Sequence, residues 1–122
     1  MRYMMLIYSQ EDDAKGDQRT VSAAHIALME DARIRGVFRA ADPLEASVTA
    51  TTLRVQNGKT VVTDGPYAET KEQLAGYYIL ECQNLDEALA WAARIPNACS
   101  GAPAFVEVRP IHEFPQHVPV NG

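Results

Sequence analysis

Two segments of this chain carry apolar bulk on both of their alternating faces, and nothing else in the sequence constrains the fold so tightly. In residues 2–8, Tyr3, Met5 and Ile7 point one way and Met4, Leu6 and Tyr8 the other. In residues 74–82, Tyr78, Leu80 and Cys82 share one face, with Tyr77, Ile79 and Glu81 on the opposite one. A strand of this kind needs cover on both sides. With 122 residues the chain can form one domain with a real core, so the question is what covers each face.

Helical covers are easy to find. Over residues 20–35, Val21, Ala24, Leu28, Met29 and Ala32 recur at helical spacing, and Gly36 supplies the stop. A second helix opens at Asn84, with Glu87 three residues on as in a capping box. Its stripe is Leu85, Ala88, Leu89, Ala92 and Ile95, with Trp91 at the edge and Pro96 at the end. Residues 37–41 read as a short strand broken by Asp42-Pro43. Residues 51–56 and 59–63 flank Asn57-Gly58, whose positive φ angles suit a type I′ hairpin. Residues 104–109 form the last strand, with Val106 and Val108 inward and Glu107 and Arg109 opposite. Residues 9–19 and 97–103 read as loops.

The order is strand, helix, strand, hairpin, strand, helix, strand. Without the hairpin it is the split βαβ plan of an α+β, ferredoxin-like antiparallel sheet with two helices on one face. The domain spans residues 1–111, and residues 112–122 form an extended tail. Both helices serve one face, so the other would expose a large apolar patch. The expected cover is a second copy of the chain, making a homodimer; the alternative is the hairpin or tail folding over that face within one chain.

Charge narrows the functional classes. The net charge is −5 and the 11 Lys and Arg residues are scattered, Arg33, Arg35 and Arg39 being the nearest approach to a cluster. Nucleic acid is therefore not the expected partner. No apolar run is long enough to cross a bilayer, and the N-terminus begins directly with strand, so the expected location is the cytoplasm. Cys82 and Cys99 are expected as reduced thiols, a bridge between them being the alternative. No metal-ligand spacing and no phosphate-cradling glycine pattern occurs, so no cofactor is expected.

Between the hairpin and the second two-sided strand lies Asp64-Gly65-Pro66-Tyr67-Ala68-Glu69-Thr70-Lys71-Glu72. The connection from Asp64 to Gln73 is longer than an ordinary hairpin needs, and loops held between strands commonly carry binding groups. Asp64, Gly65 and Pro66 also have a purely structural reading, since each favours a defined turn.

Val62 to Glu72, followed by Leu74-Ala75-Gly76-Tyr77-Tyr78, resembles the DGPF signature of the YCII-related proteins. Leu85-Asp86-Glu87-Ala88, Trp91-Ala92 and Val106-Glu107-Val108-Arg109-Pro110 resemble that family's second half. Tyr67 stands where the family more usually has Phe. The resemblance implies a dimeric α+β barrel. It also implies kinship with small-molecule lyases, isomerases and dehalogenases that carry a His–Asp pair, to which His25 and Asp42 would correspond. Some relatives are encoded near alternative sigma factors, which gives the competing expectation of a non-catalytic regulatory or stress-response module.

His25 and Asp42 are thus the catalytic candidates. A histidine on the apolar stripe of the first helix can transfer protons near neutrality, or simply be a core histidine bonded to backbone. Asp42 can orient it, or merely start a turn. Asp64, Gly65, Pro66, Tyr67, Lys71 and Arg109 are the ligand-binding candidates: Asp64 as acceptor, Tyr67 as a wall with a polar tip, Lys71 and Arg109 as cations for an organic acid. Lys71 and Arg109 equally suit ordinary surface ion pairs.

Overall fold

A computed structural model describes residues 1–11, 23–96 and 104–114. Six strands and two helices follow in the order β1 (Arg2–Gln10), α1 (Ala23–Ile34), β2 (Phe38–Pro43), β3 (Thr51–Gln56), β4 (Lys59–Asp64), β5 (Glu72–Glu81), α2 (Leu85–Ala92) and β6 (Ala104–Pro110). A 3-10 turn at Ser47–Thr49 precedes β3.

The two strands with bulk on both faces take the centre. The main sheet runs β2-β5-β1-β6, every neighbouring pair antiparallel. This is the strand order of a ferredoxin-like α+β fold. Register assigns the faces: Tyr3 opposes Leu80, Met5 opposes Tyr78 and Val108, and Ile7 opposes Gly76 and Val106. These residues, with Cys82, form one core with Leu28 and Ala32 of α1 and with Ala88, Trp91, Ala92 and Ile95 of α2 and its extension. Both helices therefore cover the same face. Met5, Ala88, Ala32 and Ile95 are the most completely enclosed.

On the reverse face Met4 opposes Ile79 and Arg109, Leu6 opposes Tyr77 and Glu107, and Tyr8 opposes Phe105. The Tyr8 and Phe105 rings stack with centroids 5.0 Å apart. Among the described residues no helix covers this face, and its side chains remain half-buried or exposed.

Several local expectations need correcting. Asp42-Pro43 does not break β2, which continues through both residues, with Asp42 opposite Tyr77 and Pro43 opposite Gly76. Strand β2 lies at the sheet edge, where a proline removes no ladder bond that the sheet requires. Gly76 accommodates it: a Cβ there would stand 2.8 Å from the Asp42 carbonyl oxygen. Strand β5 starts at Glu72, two residues earlier than expected, with a bulge opposite Ile7/Tyr8. In α2 the inward residue is Trp91 at 7% exposure, whereas Leu85 and Leu89 are about half exposed. Ala24 is exposed as well, and the inward arc of α1 runs through His25, Leu28, Met29 and Ala32.

Caps and turns follow the sequence closely. The Asn84 side chain accepts a hydrogen bond from the Glu87 amide at 2.9 Å. Asn57 and Gly58 take positive φ, as the tight β3–β4 turn requires. The hairpin forms its own two-stranded sheet and is exposed along all of β4. Cys82 is a free, buried thiol. Cys99, Val21, His117 and the expected loops at 12–19 and 97–103 lie outside the described residues.

Candidate functional site

Helix α1 crosses the covered face of the sheet, and its inward arc begins at His25. The imidazole is half-buried, and its Nδ1 lies 2.7 Å from the Tyr78 hydroxyl. The two rings stack at a small angle, with centroids 6.0 Å apart. Burial pushes the His25 pKa below its ordinary value, because desolvation disfavours the imidazolium. Tyr78 is only 3% exposed, and burial alone raises its phenol to about 12. At neutral pH the pair is thus a neutral imidazole against a protonated phenol.

Asp42 stands elsewhere. Its position opposite Tyr77 puts its side chain on the reverse face, where the Tyr77 hydroxyl donates to Asp42 Oδ2 at 2.6 Å. That bond to a carboxylate raises the Tyr77 pKa, with burial adding to it. Within one chain the structure does not bring His25 and Asp42 together, because the sheet lies between them. Each has a tyrosine partner, and the two tyrosines are consecutive in β5.

The ligand-binding candidates divide as well. Arg109 lies on the reverse face opposite Met4. Asp64 ends β4 opposite Thr51, and its carboxylate makes no hydrogen bond among the described residues. The direction of the loop is set instead by Gly65. It takes φ +101, its amide donates to the Ala50 carbonyl at 2.7 Å, and its carbonyl accepts from Thr52 Oγ1 at 2.8 Å. Pro66 is half-buried beside it, while Tyr67 and Lys71 are exposed. The Arg54 guanidinium sits over the Tyr67 ring, 5.2 Å from its centroid. Arg54 and Val61 face each other across the hairpin, so Tyr67 shields that side, and Val61 is 38% exposed against 57% for Val62 on the bare side.

Three further residues hold the surroundings of the candidate residues in place and were not singled out from sequence as site residues. Gln73 Nε2 donates to the Ala68 and Thr70 carbonyls at 3.0 and 3.1 Å and so closes the 65–71 loop from its own strand. The Glu11 carboxylate accepts from the Ser47 amide at 2.8 Å and from the Ser47 hydroxyl, tying the end of β1 to the approach to the hairpin. Tyr78 had a readable signal: a tyrosine on the buried face of a strand needs a partner for its hydroxyl, and His25 is the polar group on the helix above. Among the described residues no group of three or more His, Cys, Asp or Glu side chains comes together to hold a metal ion, and no helix is long and apolar enough to cross a membrane.

Comparison with known proteins adds a family. Residues 1–114 match the YCII-related domain. An uncharacterized protein of Rhizobium meliloti (strain 1021) is 40% identical over 104 residues, covering 85% of this chain and 79% of the relative.

Proposed function

Since the chain belongs to the YCII-related domain family, we propose that it binds a small organic acid in a pocket of a dimeric α+β barrel and acts on it by proton transfer, as a lyase or isomerase. The Asp64-Gly65-Pro66-Tyr67 segment aligns it by resemblance with the DGPF branch. The observation that carries the catalytic part is the setting of His25: a desolvated imidazole on the sheet side of α1, fixed by a 2.7 Å contact with a buried phenol. A neutral histidine of that kind can exchange a proton near neutral pH.

The reading assigns proton transfer to His25. Asp42, bonded to Tyr77, and Arg109 belong to the reverse face, the side a second copy would cover, where Arg109 offers a planar fork to a carboxylate. Asp64, Gly65, Pro66, Tyr67 and Lys71 stand at the rim by which a ligand would enter. Support for the second copy comes from Met4, Leu6, Tyr8, Tyr77, Ile79 and Phe105, which make a continuous apolar surface that the exposed hairpin does not cover.

An NMR titration with maleate and lactate tests the acid-binding reading. Saturable shifts around α1 that vanish in His25→Gln are expected. Shifts that persist unchanged in His25→Gln, or no shifts with any small carboxylic acid, would overturn it.

The competing reading, a non-catalytic regulatory module acting with a protein such as an alternative sigma factor, draws on one observation. Leu53, Val55 and Val62 line the bare side of an otherwise free-standing hairpin, and two-stranded hairpins are marginal without a partner. Loss of biological effect on replacing these three residues by Thr, with His25→Gln silent, would favour it.

A further inference from the structure

We propose that the hairpin is a hinged flap: residues 46–67 move as one body, the Glu11 carboxylate is the catch that fixes that body to the main sheet, and release of the catch parts Asp64 and Tyr67 from Lys71 at the rim. The inference rests on the acid-binding reading for what the motion serves, though not for its geometry.

Hydrogen bonds divide this part of the chain into two bodies. Within the first, the Ala46 carbonyl accepts from the Thr49 amide at 2.9 Å, the Ser47 carbonyl from the Ala50 amide at 3.0 Å and the Ala50 carbonyl from the Gly65 amide at 2.7 Å. The β3–β4 ladder runs from Thr51 opposite Asp64 to Gln56 opposite Lys59. Thr52 holds the Gly65 carbonyl and Arg54 lies over the Tyr67 ring, so residues 65–67 go with the hairpin. The second body is the main sheet. Leu44 donates to the Ala75 carbonyl at 2.8 Å, and Gln73 holds Ala68 and Thr70 to β5. The Thr70 hydroxyl donates to the Glu72 carbonyl at 2.5 Å.

The two bodies join where the chain is unbonded. Among the described residues, Glu45, Pro66 and Tyr67 take part in no hydrogen bond, which leaves hinges at Glu45 and at the Tyr67–Ala68 junction. Positions of this kind absorb a change in φ and ψ. Packing adds little, since every residue of β3 and β4 except Thr52 is exposed. Among the described residues, the hydrogen bonds that cross from 46–67 to the rest are the two from Ser47 to Glu11, amide to Oε2 at 2.8 Å and hydroxyl to Oε1. Bonds to a charged acceptor are stronger than neutral ones, and these lie close enough to Glu45 to fix the hinge angle. Lys71 stays with the sheet while Asp64 and Tyr67 ride on the flap, so a swing of the flap changes the width of the rim.

The test is 15N relaxation of the ligand-free protein. In wild type, residues 46–67 should be as ordered as β1 and β5, with S² about 0.85. In Glu11→Ala they should fall together below about 0.6, while the Cα shifts of β3 and β4 stay native and residues 68–81 stay rigid. Gln73→Ala should loosen residues 68–71 and leave 46–67 as in wild type. Glu11→Gln keeps one acceptor oxygen and should loosen the same block by less, which decides the matter if Glu11→Ala does not fold. A block that stays as ordered as the sheet in whichever Glu11 variant folds, or loosening that runs through 68–71 without a step, would overturn the proposal. Because no ligand is present, the flap stands or falls separately from the acid-binding titration.

Discussion

Tyr77 and Tyr78 are adjacent in β5 and opposite in setting. Tyr78 lies under α1, sealed by the helices, and its hydroxyl meets a neutral imidazole. Tyr77 lies on the reverse face, half exposed, and its hydroxyl meets a carboxylate. One phenol is perturbed by burial alone, the other first by a hydrogen bond to a charge. The period of two in a strand thus separates the groups that the family resemblance links as a His–Asp pair. It gives each a phenol and places the sheet between them.

The difference between the faces can be broken most severely at the core. Met5, fully buried under the helices, and Leu6, its neighbour on the reverse face, are an equivalent pair for substitution. Met5→Ala should lose about 2–5 kcal/mol in urea denaturation, whatever the protein concentration. Leu6→Ala should cost roughly 1 kcal/mol if the face is simply solvated. A larger loss that grows on dilution would mean that the face is covered by another molecule.

Gly76 comes next. An added methyl group there meets the Asp42 carbonyl, so Gly76→Ala should cost about 1–3 kcal/mol and push β2 outward. The Tyr77–Asp42 bond should lengthen while His25–Tyr78 stays put, which NMR chemical shifts of the two sites would report.

The two phenols can also be separated by alkaline pH. Unfolded Tyr78 releases its proton near 10 and folded Tyr78 only near 12. Between these values the unfolded chain binds fewer protons, so stability falls as pH rises, by on the order of 1–3 kcal/mol. Tyr78→Phe should lack that slope. His25 works on the acid side: its folded pKa is depressed, so the unfolded chain takes up the proton first as pH drops below 6.5. Stability should decline there in wild type and less so in His25→Gln. The smallest effect belongs to Tyr77→Phe, which removes one exposed hydrogen bond and should barely move the urea midpoint.

Much of this was legible in sequence, for physical reasons. Alternation assigned both faces of β1 and β5 because a strand's period leaves no choice once one face is buried. Asn84 and Asn57-Gly58 were legible because capping and left-handed turns depend on a few atoms close in sequence. The misreadings arise where two patterns share residues. Ala88 and Ala92 belong equally to a stripe with Leu85 and Leu89 and to one with Trp91 and Ile95. Only packing against the sheet selects the second, and the small alanines let the helix come close enough to bury the indole. On α1 the sequence put both Ala24 and His25 on the stripe, and packing against the sheet keeps His25 and leaves Ala24 exposed. Asp42-Pro43 looked like a break because sequence does not reveal that β2 is an edge strand. The partners of His25 and Asp42 lie 53 and 35 residues away, distances that only the strand order closes.

Sedimentation of the intact protein at low micromolar concentration is the most direct test of the proposed second copy over the face that bears Leu6 and Tyr77. The expected species has twice the 13.4 kDa chain mass and falls to a single folded chain in Leu6→Asp, with the circular dichroism spectrum preserved. A wild type that sediments as one chain would contradict it.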